Sequence, residues 1–166
     1  MWGAIVLAVA LVLPTGDWAP LRNDAGQRLT WHSCTVTYSG PTSKPLRRAM
    51  RLTERASGVR FKRVPRRRAD LHIRVRHRAH PGDPGRYADL VRWVQGRHHT
   101  HAHLTVYPRT LRLSARTARD IHRHELGHAL GLAHVRGNDL MSPYLRPNQT
   151  ARGWRRGLRT LYRHCR

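Results

Sequence analysis

Residues 124–134 read HELGHALGLAH and hold the side chains best suited to chemistry: His124, Glu125, His128 and His134. Residues four apart on a helix lie about 40° apart around its axis, so His124 and His128 share one face and can reach one ion. Glu125, beside the first histidine, can contact a water on that ion. Gly131 tolerates the left-handed backbone that ends a helix, and the turn it allows would bring His134 back as a third nitrogen ligand. Three neutral imidazoles and one water describe an open, catalytic zinc site rather than a closed, structural one. Such an ion acidifies water and polarises a carbonyl, while a carboxylate beside it can accept a proton and hand it to a leaving amine. A bare HExxH is weak in a chain with 13 histidines. The eleven-residue form, with glycine and third histidine in place, is far more specific.

Seven residues beyond His134 stands Met141, in NDLMSPY, and two further on Pro143. The whole pattern resembles the metzincin metallopeptidases, zinc endopeptidases with a methionine turn beneath the metal; Pro143 is similar to the matrixin branch and its small bacterial relatives. The resemblance implies one catalytic Zn2+ on His124, His128 and His134, with Glu125 as catalytic base and a protein or peptide as substrate. It implies that Met141 lies under the ion without ligating it. It also implies that Pro143 and Tyr144 wall the pocket for the residue after the cleaved bond. The turn from third histidine to methionine is one residue shorter than usual in matrixins. No cysteine precedes Cys34, so latency through a propeptide thiolate is not expected. Calcium sites, common in larger matrixins, need carboxylates that this chain lacks.

These residues need elements to position them. Residues 29–38 (LTWHSCTVTY) are rich in β-branched and aromatic types and read as a strand. A helix over 45–57 follows, with Pro45 at its first turn, Gly58 as its stop and Leu46, Ala49, Met50 and Thr53 as its buried stripe. Residues 59–64 and 70–76 alternate apolar with basic, the pattern of half-buried strands. Residues 77–86 read as a loop, and 87–95 suit helix or strand equally. Residues 101–107 read as a strand. Ser114 or Thr117 caps the helix carrying His124, and Trp154, Leu158, Leu161 and Tyr162 mark a last helix over 151–164. The fold class is therefore α+β, a mixed twisted sheet with an active-site helix and a C-terminal helix, which is also the zincin arrangement the resemblance implies. It occupies residues 29–166; residues 1–28 comprise a signal-like apolar segment and a linker.

The chain has 166 residues and a formal net charge of +23, from 32 basic and nine acidic residues. All but Lys44 and Lys62 of the basic residues are arginine, a preference that points to coding bias. Whatever its origin, the charge predicts salt-dependent, non-specific attraction to an anionic cell surface or nucleic acid. Residues 2–13 are continuously apolar, too short to span a bilayer comfortably but suited to a secretory signal, although no basic residue precedes them. Cys34 and Cys165 would stay reduced in a cytosol and could pair in an exported protein. The expected protein is thus secreted or envelope-associated, and monomeric. His101 and His103 share one face of their strand and, with His98 and His99, suit either a second metal site or a solvated, cleft-lining face. Arg146, Arg152, Arg155 and Arg156 would favour acidic substrates if they line the cleft. Two competing functions stand beside the endopeptidase: a zinc amidase acting on cell-wall peptide, and a basic polyanion-binding module with a non-catalytic zinc site. The second rests on charge alone, and an intact Glu125 speaks against it.

Overall fold

The computed structural model describes residues 16–144, 146 and 148–166. The apolar run 2–13 lies outside them. Five strands form one sheet in the order β2-β1-β3-β5-β4. They are β1 (Thr35–Ser39), β2 (Arg60–Arg63), β3 (Leu71–Val75), β4 (Ala88–Gln95) and β5 (His98–Val106). All neighbours run parallel except β4, which lies antiparallel to β5 at the sheet edge. The register pairs Leu71 with Ala102, Ile73 with Leu104 and Val75 with Val106, so one sheet face is a continuous apolar surface.

Helix α1 (Lys44–Ser57) spans the expected residues. The Ser43 hydroxyl accepts from the Leu46 N–H, and Gly58, at φ 84°, ends the helix by donating to the Glu54 carbonyl. A short α2 (Pro108–Leu111) precedes α3 (Ala115–Ala129), and α4 (Arg152–Leu161) closes the chain with a 3-10 turn at Arg163–Cys165. Leu46, Leu71, Leu104, Leu126, Leu130, Trp154 and Leu158 are buried in one core between sheet and helices. The structure is α+β with a mixed sheet, as expected. Cys34 and Cys165 form a disulfide with Cα atoms 5.4 Å apart.

Three stretches differ from expectation. The strand expected over 29–38 is regular only from Thr35. Before it, Trp31 leaves the ladder so that its indole N–H donates to the Ala129 carbonyl at the end of α3 (2.8 Å). Of the ambiguous residues 87–95, Ala88–Gln95 form β4, whose outer face carries the exposed Val91 and Trp93; past a bulge, Val94 pairs with the buried His99. Residues 16–28, expected as a linker, pack on the domain. The Leu21 N–H donates to the Gly131 carbonyl and Ala133 N–H to the Ala19 carbonyl. These bonds run through main chain, which leaves no mark in residue type.

His99 on β5 is 4% exposed, and neither ring nitrogen has a partner. Its ring packs against Trp31, centroids 5.4 Å apart. Burial, and secondarily Arg92 and His98, push its pKa down to about 4 from the ordinary 6.5. The unfolded chain takes up this proton near pH 6.5, the folded one only near 4, so the contribution is full above 6.5 and lost as pH falls through that window. At about 1.4 kcal/mol per pH unit this amounts to about 3 kcal/mol. His99→Phe keeps the ring's bulk without titrating. Its Tm should fall less than the wild type's between pH 7 and pH 5, and parallel falls in both proteins would refute the assignment.

Candidate metal centre and cleft

Helix α3 starts where Ser114 accepts from the Thr117 N–H. It ends in a Schellman turn, with the Leu132 N–H on the Gly127 carbonyl (2.9 Å) and the Gly131 N–H on the His128 carbonyl (3.0 Å). Gly131 sits at φ 92°, and a Cβ there would lie 2.0 Å from the Leu29 carbonyl oxygen. Only glycine fits both conditions. This turn swings His134 back towards His124 and His128.

The three Nε2 atoms converge. His128 is 3.0 Å from both His124 and His134, and His124 is 3.2 Å from His134. The Nδ1 atoms of His124 and His128 face the main-chain carbonyls of Leu140 (2.7 Å) and Leu132 (2.8 Å). A carbonyl only accepts, so both Nδ1 atoms carry the proton and both Nε2 atoms present lone pairs to the shared point. Burial, first among the causes, lowers the pKa of all three rings: His124 to about 4, His128 well below its ordinary value, and His134 with a contribution from Arg92. All three are neutral at pH 7. Three facing lone pairs repel one another unless a cation lies between them. Zn–N bonds of about 2.0–2.1 Å in a tetrahedron place nitrogens about 3.3 Å apart, so this donor set fits such an ion.

Glu125 is 8% exposed, on the wall of a cleft of about 750 Å³ that also reaches His124, His128 and His134. Burial, then the Asp89 carboxylate, pushes its pKa up to about 8 from the protein groups alone. A dication alongside acts in the opposite sense. The edge strand β4 forms the opposite rim through Ala88, Asp89, Leu90 and Arg92.

Met141 is fully buried beneath α3, and a Cβ on Gly127 would lie 2.6 Å from its sulfur. Pro143 lines the cleft together with Ser142 and Gln149, whereas Tyr144 is 67% exposed and lies outside the lining. Of the two residues expected to wall a substrate pocket, Pro143 therefore borders the cleft and Tyr144 does not. A bend at Ser142–Tyr144 turns the tyrosine to solvent, and the Gln149 amide ties it down by donating to the Tyr144 carbonyl (2.9 Å). Arg146, Arg152, Arg155 and Arg156 do not line the cleft; Arg156 pairs with Asp17 instead. His101 and His103 meet His72 of β3 on the sheet face away from the core, their ligand atoms all within 4.8 Å. That group does not line the cleft either.

One residue essential to this geometry carried no sequence signal. Asp139, 6% exposed, accepts from the main-chain N–H groups of Met141 (3.2 Å), Gly153 (3.0 Å) and Trp154 (3.2 Å) and from the Thr150 hydroxyl (3.3 Å). It joins the methionine turn to the N-terminus of α4, and the same turn presents the Leu140 carbonyl to His124. Burial raises its pKa, while the four hydrogen bonds pull downward. Asp139→Ala strands three buried N–H groups, so a loss of about 3–5 kcal/mol is expected. Urea unfolding measures it, and a loss below about 1 kcal/mol would show that water replaces the carboxylate.

A family model described as matrixin, peptidase M10, matches residues 26–162. No curated protein matches the chain. The matched span contains the three converging histidines, the carboxylate beside them and the buried methionine turn. With a mixed five-stranded sheet above them, the chain belongs to the matrixins, a family of zinc-dependent metallopeptidases.

Proposed function

We propose that the protein is a zinc endopeptidase in which His124, His128 and His134 hold one Zn2+ and Glu125 is the general base. The observation that carries this reading is the meeting of three Nε2 lone pairs within 3.2 Å of one another, beside a buried carboxylate on an open cleft. Bound there, the ion supplies Lewis-acid chemistry, acidifying water and polarising the scissile carbonyl. Glu125 accepts the water proton and delivers it to the leaving amine, and its burial keeps bulk water from competing for that proton. The carbonyls of Leu132 and Leu140 hold the rings of His128 and His124 and raise their basicity. Met141 and Trp154 pack against Gly127 and fix the height of the helix under the rings. The free edge of β4 gives an extended peptide main-chain hydrogen bonds along the cleft rim. Pro143, with Ser142 and Gln149, shapes the pocket for the residue after the cleaved bond.

The disulfide and the apolar run 2–13 support a secreted or envelope-associated protein, since such bonds persist in oxidising compartments. The test is cleavage of a mixed peptide library by zinc-loaded protein, by chelated protein, and by chelated protein given back one equivalent of zinc. Cleavage should vanish and return. A loaded protein that cuts no peptide would overturn the reading, and release of cell-wall peptide by the same protein would establish the amidase in its place.

A further inference from the structure

The cleft is lined by six charged side chains besides its histidines: Asp83, Arg86, Asp89, Arg92, Asp120 and Glu125. Four of them neutralise within the protein. Arg86 reaches Asp83 (3.4 Å) and Asp89 (3.9 Å), Tyr107 donates to Asp89 (2.8 Å), and Asp120 sits between Arg119 (3.0 Å) and Arg123 (3.1 Å). Glu125 is the base proposed above. Arg92 alone has neither a partner nor a role: among the described residues it makes no ion pair and no side-chain hydrogen bond.

Its position explains why that matters. Arg92 pairs across the sheet with the fully buried Ala102, so it shares the inward face of β4 with Leu90, opposite the exposed Val91 and Trp93. Its side chain is half-buried, so the guanidinium is partly stripped of water, and its pKa is lowered in consequence. It lines the cleft from β4, in the same cavity as the three histidines. None of its nitrogens is sealed inside protein. A half-buried guanidinium facing a cleft with open donors is poorly solvated, and what it lacks is an anion with two acceptor atoms in one plane.

We propose that Arg92 is a specificity-determining residue that binds a carboxylate of the peptide substrate on the β4 rim of the cleft. The inference rests on the peptidase reading for the word substrate but not for the binding itself. The carboxylate has two possible sources, an acidic side chain and the α-carboxylate at a peptide's C-terminus. The β4 edge binds main chain whatever the sequence; Arg92 adds a charge requirement at one position. A charge-assisted fork desolvated in a cleft favours a carboxylate over its amide by about tenfold to hundredfold.

The experiment uses zinc-loaded Glu125→Gln protein, so that binding is read without turnover, at physiological salt to suppress general attraction to the basic surface. Amidated hexapeptide pools are compared with Glu against Gln at each position in turn, and each pool is repeated as the free acid. The expected result is a Glu-over-Gln preference of about ten or more at one position. Adding Arg92→Gln should bring that ratio to about one, Arg92→Lys should restore part of it, and Arg92→Glu should invert it towards Lys. A preference confined to free acid over amide, and lost with Arg92→Gln, assigns the carboxylate to the chain terminus. No binding, a preference spread evenly over positions, or one that survives Arg92→Gln overturns the inference. Discrimination without cleavage by the wild-type protein removes the peptidase reading and keeps this one; cleavage without discrimination does the reverse.

Discussion

Glutamine at position 125 is expected to keep the zinc content of the protein and lower kcat/KM by about 10²–10⁴-fold. The substitution is nearly isosteric, which matters because Glu125 is 8% exposed and an alanine would leave a hole beside the ligand rings. The amide can still hydrogen-bond to water but cannot take its proton. The loss should therefore fall mainly on kcat, the signature of an interaction made in the transition state. On the free-energy scale the fall corresponds to about 3–5 kcal/mol, comparable to removing a main catalytic group. His128→Ala should differ in kind, since it removes one of three donors and with it the retained metal. Metal analysis beside steady-state kinetics separates the two. If Glu125→Gln keeps activity within about threefold, the proton is handled elsewhere and the role assigned to Glu125 is wrong.

The second large effect is on stability. The Cys34–Cys165 bond closes a loop across a separation of 131 residues. On the chain-entropy model, removing such a crosslink frees the unfolded chain by about 5 kcal/mol. A domain of this size has about 5–15 kcal/mol in total, and this one must also hold together a net charge of +23. Cys34→Ser with Cys165→Ser should leave it marginal at low salt and firmer when salt screens the arginines. Urea unfolding of the oxidised and double-serine proteins gives the difference. A value under about 1 kcal/mol would mean that the unfolded chain is held compact by something other than the bond.

Much of the site was legible because it is written in side chains at fixed spacings. His124, Glu125, His128, Gly131 and His134 announce a helix, its end and a returning third histidine, and Pro45 and Gly58 mark α1 just as directly. The illegible parts depend on main chain or on distant pairing. The carbonyls of Leu132 and Leu140 that orient the rings of His128 and His124 are main-chain groups of a kind every residue has. Asp139 looks like any loop acid, because its partners are N–H groups up to 15 residues away. Strand β4 was ambiguous because Leu90 and Arg92 on one face alternate with Val91 and Trp93 on the other, so neither face is cleanly polar. Arg92 carries no distinguishing signal for the same reason, being one arginine among thirty on a stretch that suits helix or strand equally.

The packing of residues 16–28 has a consequence of a different kind. The stretch is joined to the rest of the chain through an exposed turn at Asn23–Gln27, while on the far side of that turn the Ala19 carbonyl and Leu21 N–H hold both ends of the Gly131–Ala133 segment beside His134. A single nick in the turn would leave every one of these hydrogen bonds in place and change only their order of reaction. The strap would become a bound peptide, with a dissociation constant where there had been a covalent tether. Nicked protein should then keep its third histidine in place when concentrated and release it on dilution, so that specific activity falls with protein concentration although no residue has been lost.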